Sequence, residues 1–145
     1  MHMNPKRAFA MATSFAAALL GLSPAIAQPA DAMALASGTW MNPHGTVAVK
    51  AGPCQERLCG WVSWASPTAT ADAKDAGVST LIGTELLQEY KLTGNGKWTG
   101  RVYVPDRGET YYSTIQQLDP NRLKISGCIL HGWLCKSQVW RRVGA

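Results

Sequence analysis

The side chains able to do chemistry are few, and their spacing limits what they can do. Four cysteines, Cys54, Cys59, Cys128 and Cys135, fall in two close pairs. The spacings are C-x4-C and C-x6-C, not the C-x2-C knuckle of a structural zinc site, so no metal centre is expected. In an exported chain, an even set of cysteines reads as disulfides. Of the three possible pairings, Cys54–Cys59 with Cys128–Cys135 is the most economical, because each pair flanks a hairpin turn. Loop closure at such short separations contributes roughly 2 kcal/mol per bridge.

His44 and His131 each sit in a turn. A Ser-His-Asp hydrolase would need Ser113 or Ser137 beside one of them, and neither serine lies in a nucleophile elbow. Asp106, Arg107 and Glu109 form a charged hairpin tip. Two carboxylates close in sequence are a weak glycosidase signal, and Asp106 suits a turn better than acid catalysis. The expectation is a protein that is not an enzyme and carries no cofactor.

The first residues have the form of a secretory signal. Met1 to Arg7 is short and basic, Ala8 to Leu22 is apolar, and Ser23-Pro24-Ala25-Ile26-Ala27 has the small-x-small pattern of a cleavage site before Gln28. The apolar run is short for a membrane span and ends in Pro and small residues. A periplasmic or secreted protein with no transmembrane segment after cleavage is therefore expected. The chain has 14 Lys+Arg, 9 Asp+Glu and a net charge of +5. Cleavage removes Lys6 and Arg7 and leaves +3. The remaining basic residues are scattered, which argues against nucleic-acid binding.

The elements that must position these residues read as short strands. Gln28 to Ser37 is Ala-rich with Pro29 and is expected as a flexible leader. A single domain then spans residues 38–143. Val47 and Val49 alternate with Ala48 and Lys50, as in a strand. A turn follows from Gly52-Pro53 to about Arg57. Leu58 to Ala65 alternates with a tryptophan on each face, Trp61 on one and Trp64 on the other. Ser66 to Ser79 is the longest break, expected as a loop over one end of the domain. Thr84 to Thr93 leads into the Gly94-Asn95-Gly96 hairpin signal. Lys97 to Val104, Glu109 to Leu118, Arg122 to Ile129 and Leu134 to Val143 complete the set, separated by Pro, Gly, Asp and Asn turns. Eight short strands with tight turns suggest an all-β, eight-stranded antiparallel up-and-down barrel. Such a barrel has room for packed side chains or one small ligand.

The order of short motifs resembles a known family. Gly38-x-Trp40, Leu58-Cys59-Gly60-x-Val62-x-Trp64, Gly96-Lys97-Trp98-x-Gly100-x-Val102-Tyr103-x-Pro105, Gly108-x-Thr110-Tyr111, Gly127-Cys128 and Trp140-x-Arg142-Val143 occur in sequence. Over Ser37 to Val143 this is similar to the bacterial exported domain-of-unknown-function family 2147. The resemblance implies a calycin-like (lipocalin-type) barrel, with a cysteine pair on each of two hairpins in many members. It brings no established activity. Many members carry an Asp-x-Lys-Asn-Pro-like segment and then an Arg-rich stretch. Here Asp72 to Gly77 is followed by Val78 to Thr84 with no arginine, so the chemistry of this loop has changed.

A Gly-x-Trp opening and a terminal arginine also resemble the calycin closure. Trp40, Trp140 and Arg142 are the expected closing residues, with Arg141 the alternate to Arg142, held by cation–π attraction and burial of the arginine stem. Trp64, Trp98, Tyr103 and Tyr111 are the expected pocket residues, since indole and phenol groups offer polar handles in an apolar cavity. The function expected is binding of a small apolar or amphiphilic envelope molecule. The alternative is a periplasmic protein-interaction module, an inhibitor or accessory factor, with a filled barrel.

Overall fold

The structure is a computed structural model that describes Gly21, Ser23, Pro24 and residues 28–144. The remainder of the expected signal segment, with the Ala27 side of its cleavage point, lies outside the described residues. The chain runs α1 (Pro29–Ala36), β1 (Gly38–Met41), β2 (Val47–Cys54), β3 (Arg57–Ala65), α2 (Pro67–Asp75), β4 (Glu85–Gly94), β5 (Lys97–Val104), β6 (Glu109–Asp119), β7 (Arg122–Ile129) and β8 (Leu134–Arg142). The eight strands form one closed antiparallel barrel in sequence order. Closure comes from β1 and β8, with Trp40 opposite Arg142 and Met41 opposite Arg141. Among the described residues no helix is long and apolar enough to cross a membrane.

The meander defines two ends. The β2–β3, β4–β5 and β6–β7 turns share one end with α1. The β1–β2, β5–β6 and β7–β8 turns share the other with α2. The first end is filled. Trp40, Val49, Leu58, Val62, Leu87, Tyr90, Trp98, Ile115 and Leu123 are buried there and in the barrel's middle.

Two segments differ from the sequence expectation. The expected leader is helix α1, begun by Pro29 at its first position and by the Gln28 amide donating to Asp31 Oδ2 at 3.3 Å. Its Ala32 and Ala36 are buried, and the Trp40 Nε1–H donates to the Ala36 carbonyl at 2.9 Å. The leader is ordered because its small side chains let a helix sit close against the barrel's closed end. The Ser66 to Ser79 break also contains a helix, α2. Ser66 Oγ accepts from the Ala69 amide at 3.1 Å and Pro67 follows as the first helical residue. Ala69 and Ala73 lie four apart and share one inward face. Its composition resembles a loop because threonine, alanine and aspartate give no strong apolar stripe.

A smaller difference concerns Gly52-Pro53. These residues remain in β2, and Pro53 stands opposite Leu58. The hairpin turn is only Gln55-Glu56, with Gln55 in the left-handed region at φ 60°.

Two register shifts decide which side chains face inward. In β3, Ala48 pairs with Trp64 and Val49 with Val62, which leaves Ser63 as an extra residue. A bulge of one residue reverses the inward–outward alternation beyond it. Val62 therefore faces in, while Trp64 faces solvent at 45% exposure. In β4, Gln88 pairs with Arg101 and Lys91 with Thr99, so Glu89 and Tyr90 together oppose Gly100. Glu89 absorbs this with φ 51° and Tyr90 turns into the core.

Candidate functional site

The open end of the barrel holds a cavity of about 870 Å³. Its inner wall comes from inward positions near the ends of β4, β5, β7 and β8: Leu86, Val102, Ile125 and Trp140. Helix α2 and the segment after it cover one side with Ala69, Ala73 and Leu81. The rim is polar and mixed in charge, with Asn42, His44, Asp72, Asp106, Arg107, Glu109 and Lys136.

Strand β8 explains the amphiphilic character. Its inward row reads Leu134, Lys136, Gln138, Trp140, so apolar, cationic and amide groups line one side of the interior. Lys136 stands opposite Gly127, whose missing side chain leaves the room. At the bottom of this row the Trp140 Nε1–H donates to Gln138 Oε1 at 3.1 Å, which satisfies the indole in an otherwise apolar floor.

The rim is built by local hydrogen bonding. Asn42 Oδ1 accepts from the amides of Thr46 at 2.8 Å and Val47 at 3.1 Å, which fixes the β1–β2 turn and holds His44 over the mouth. Tyr111 donates to Glu109 Oε2. That carboxylate holds the Tyr111 phenol above its ordinary pKa. Among the described residues no cluster of His, Cys, Asp or Glu suits a metal ion.

The residues singled out in the sequence are placed unevenly. Tyr103 and Tyr111 line the mouth. Trp98 is 2% exposed and belongs to the filled half, below the cavity. Trp64 is on the outer surface because of the Ser63 bulge. Trp40 and Arg142 meet at the closed end, with the guanidinium carbon 4.2 Å from the indole centroid. Trp140 lies one inward step above Arg142, roughly 7 Å along the strand, and forms cavity floor instead of closure. Disulfides join Cys54 to Cys59 at the closed end and Cys128 to Cys135 at the open end. Sequence reasoning missed Lys136, Gln138, Ile125 and α2. The alternation along β8 carried the signal: polar residues on the same face as Trp140 mean that part of the interior wall is polar.

The serines weighed for hydrolysis sit elsewhere. Ser137 shares a hydrogen bond with Ser126 at 2.7 Å on the barrel exterior. Ser113 is fully buried beside Tyr90 in the filled half. The two hydroxyls are neighbours but lie outside ordinary hydrogen-bond geometry, so both remain buried without a partner.

A closed eight-stranded antiparallel barrel with one open, lined end is a lipocalin-like fold. A solved structure of the same form is protein HP1028 from Helicobacter pylori, described as belonging to the lipocalin family. It matches at a TM-score of 0.55 and 13% identity, covering 75% of this chain and 83% of that one. At that identity the likeness is one of fold. The chain belongs to the family of uncharacterized proteins conserved in bacteria, DUF2147, whose model matches residues 38–142. No curated protein matches it.

Proposed function

We propose that this protein is an exported, non-enzymatic binding protein of the bacterial envelope that takes one small amphiphile into the open end of its barrel. The observation that carries this reading is the cavity of about 870 Å³, apolar at its floor and polar at its rim. That size and pattern suit a small-molecule site, where apolar walls supply affinity and a few polar groups set orientation. An apolar tail fits against Val102, Ile125 and Trp140. A polar head fits at Lys136, Gln138 and Arg107, where an anionic group gains most from the two cations. Two disulfides accord with an oxidising compartment. The seating of Ser113 and Ser137 with hydroxyl neighbours favours binding over hydrolysis.

Native mass spectrometry of protein purified from its own envelope without detergent tests this reading. The expected result is a reproducible bound mass of an amphiphile. Absence of any bound mass, together with no thermal shift across a panel of single-chain lipids, overturns it.

A further inference from the structure

The β7–β8 turn carries a group of large apolar side chains in solvent. Ile129 is 45% exposed, Leu130 69%, Trp133 89% and Leu134 59%. The backbone presents them at a conformational cost. Leu130 and His131 both occupy the left-handed region, at φ 54° and 56°, which residues with a Cβ rarely adopt in succession. Three features hold that conformation: the Cys128–Cys135 bridge at the base, Gly132 at φ 93°, and the Trp133 amide donating to the Leu130 carbonyl at 3.2 Å. A braced turn that keeps apolar groups out of the core calls for an apolar phase outside the protein.

We propose that this turn is a docking tip that inserts Leu130 and Trp133 into the interfacial layer of an anionic lipid bilayer and so seats the cavity mouth on the membrane. The size of the tip favours lipid over protein. Four side chains on a convex turn fall far short of the roughly 20–30 residues a side of a stable protein interface. A few apolar side chains with an indole are enough to hold a protein at the headgroup boundary. The charge agrees. No carboxylate side chain occurs after Asp119, and Lys136 stands one inward step from Leu134 beside the tip. Elsewhere at this end carboxylates outnumber cations, Asp106 and Glu109 against Arg107 in the β5–β6 turn and Asp72 and Asp75 against Lys74 in α2, so the β7–β8 turn is the side that suits an anionic surface. Continuity adds a third argument. Ile129 and Leu134 line the cavity as well as flanking the tip, so apolar surface runs from the turn into the mouth. Transfer of a ligand between bilayer and cavity rests on the binding reading above; the docking itself does not.

Vesicle flotation of the mature protein tests the docking. One set of vesicles contains phosphatidylethanolamine with phosphatidylglycerol, the other phosphatidylcholine alone. Wild type should float with the anionic vesicles and much less with the neutral ones. The double variant Leu130→Ser/Trp133→Ser should lose at least about tenfold in vesicle affinity, since two exposed apolar groups supply most of the insertion. Both replaced side chains are in solvent, so its thermal midpoint should stay that of wild type. Its uptake of the apolar dye phenylnaphthylamine in solution, which reports the cavity separately, should also be unchanged. No flotation of wild type overturns the docking. So does equal flotation with both vesicle types, or flotation unaffected by the double variant. A tip that mediates self-association in its place, lost in the double variant while no vesicle binds, overturns it too. Loss of dye uptake in both proteins would count against the cavity reading and leave the docking result standing.

Discussion

The Tyr90 ring lies directly over Gly100. A Cβ at Gly100 would stand 2.7 Å from the ring's Cγ and 2.8 Å from both the Tyr90 Cα and the Gln88 carbonyl oxygen. Two of those atoms are backbone and cannot step aside. Gly100→Ala should therefore cost about 2–3 kcal/mol, the scale of overpacking in a tight core. Gly52→Ala, where nothing lies within 4 Å, is the matched control and should change stability by less than about 0.5 kcal/mol. Chemical denaturation of both variants checks the contrast.

The same tyrosine sets an alkaline limit. Burial pushes its phenol far above the ordinary value of about 10, and the adjacent Ser113 hydroxyl offsets only part of that rise. The folded state thus holds the proton more tightly than the unfolded chain. Tyr90 favours folding below the unfolded pKa, and that contribution falls away as pH climbs beyond about 10 toward the folded value. Tyr90→Phe should flatten the alkaline limb of stability measured between neutral pH and pH ~11. At neutral pH it should be neutral or stabilising, because the lost hydroxyl has no hydrogen-bond partner.

Arg142 should resist replacement by lysine. Its Nη2 donates to the Leu35 carbonyl at 2.6 Å, Nη1 to Ser37 at 2.8 Å and Nε to Pro120 at 2.8 Å. One fork therefore joins α1, the entry to β1 and the β6–β7 turn while covering Trp40. A lysine keeps the charge but cannot span three carbonyls. Arg142→Lys should cost about 2 kcal/mol. Gly38→Ala should reproduce part of the loss, because a Cβ there would collide with the guanidinium and the backbone sits at φ 133°. Thermal unfolding of the two variants and their combination should show less than additive effects.

The cavity can be filled without touching the filled half of the barrel. Gly127 faces the interior, and a Cβ there would meet Val102 Cγ1 at 3.5 Å, an ordinary van der Waals contact. Gly127→Leu should occupy space opposite Lys136 and cut amphiphile affinity at least about tenfold, with stability within about 1 kcal/mol of wild type. Lys136→Met should weaken carboxylate- or phosphate-headed ligands by about tenfold and leave neutral ones unaffected, the scale of one charge-assisted hydrogen bond. Titration calorimetry with a matched pair of anionic and neutral ligands reads both effects.

The two bridges should be separable. Each closes a short loop, so replacing either pair by alanine should cost about 2 kcal/mol. Only the Cys128–Cys135 replacement should also change flotation, since that bridge braces the exposed turn, whereas Cys54–Cys59 is at the far end.

The barrel is legible in the sequence because alternation, turn residues and cysteine placement all point the same way. Gly94-Asn95-Gly96 and the Pro105-to-Gly108 turn each mark a real strand reversal. What alternation cannot reveal is a bulge. Ser63 is an ordinary strand residue, yet its insertion opposite the Ala48/Val49 step sends Trp64 outward. Helix α2 is illegible for a different reason: Ala73 is its only buried residue and Ala69 is half-buried, and such small side chains leave almost no periodic signal. Lys136 and Gln138 are legible in position, two residues apart on the face of Trp140. They escape notice because tryptophan and tyrosine are the stronger pocket signal.

The closing seam has a consequence for how the chain folds. Seven strand pairings join sequence neighbours and can zip up locally, while β1 with β8 joins the two ends of the domain through two paired positions. Bringing distant segments together is entropically the slowest kind of contact, so the seam forms last. Until it does, the chain presents two edges whose registers match each other, and another copy's edges would satisfy them equally well. The fork of Arg142 across α1 and the β6–β7 turn therefore does more than hold the finished barrel. It slows the reopening of the seam, and with it the exchange of a strand between one molecule and the next.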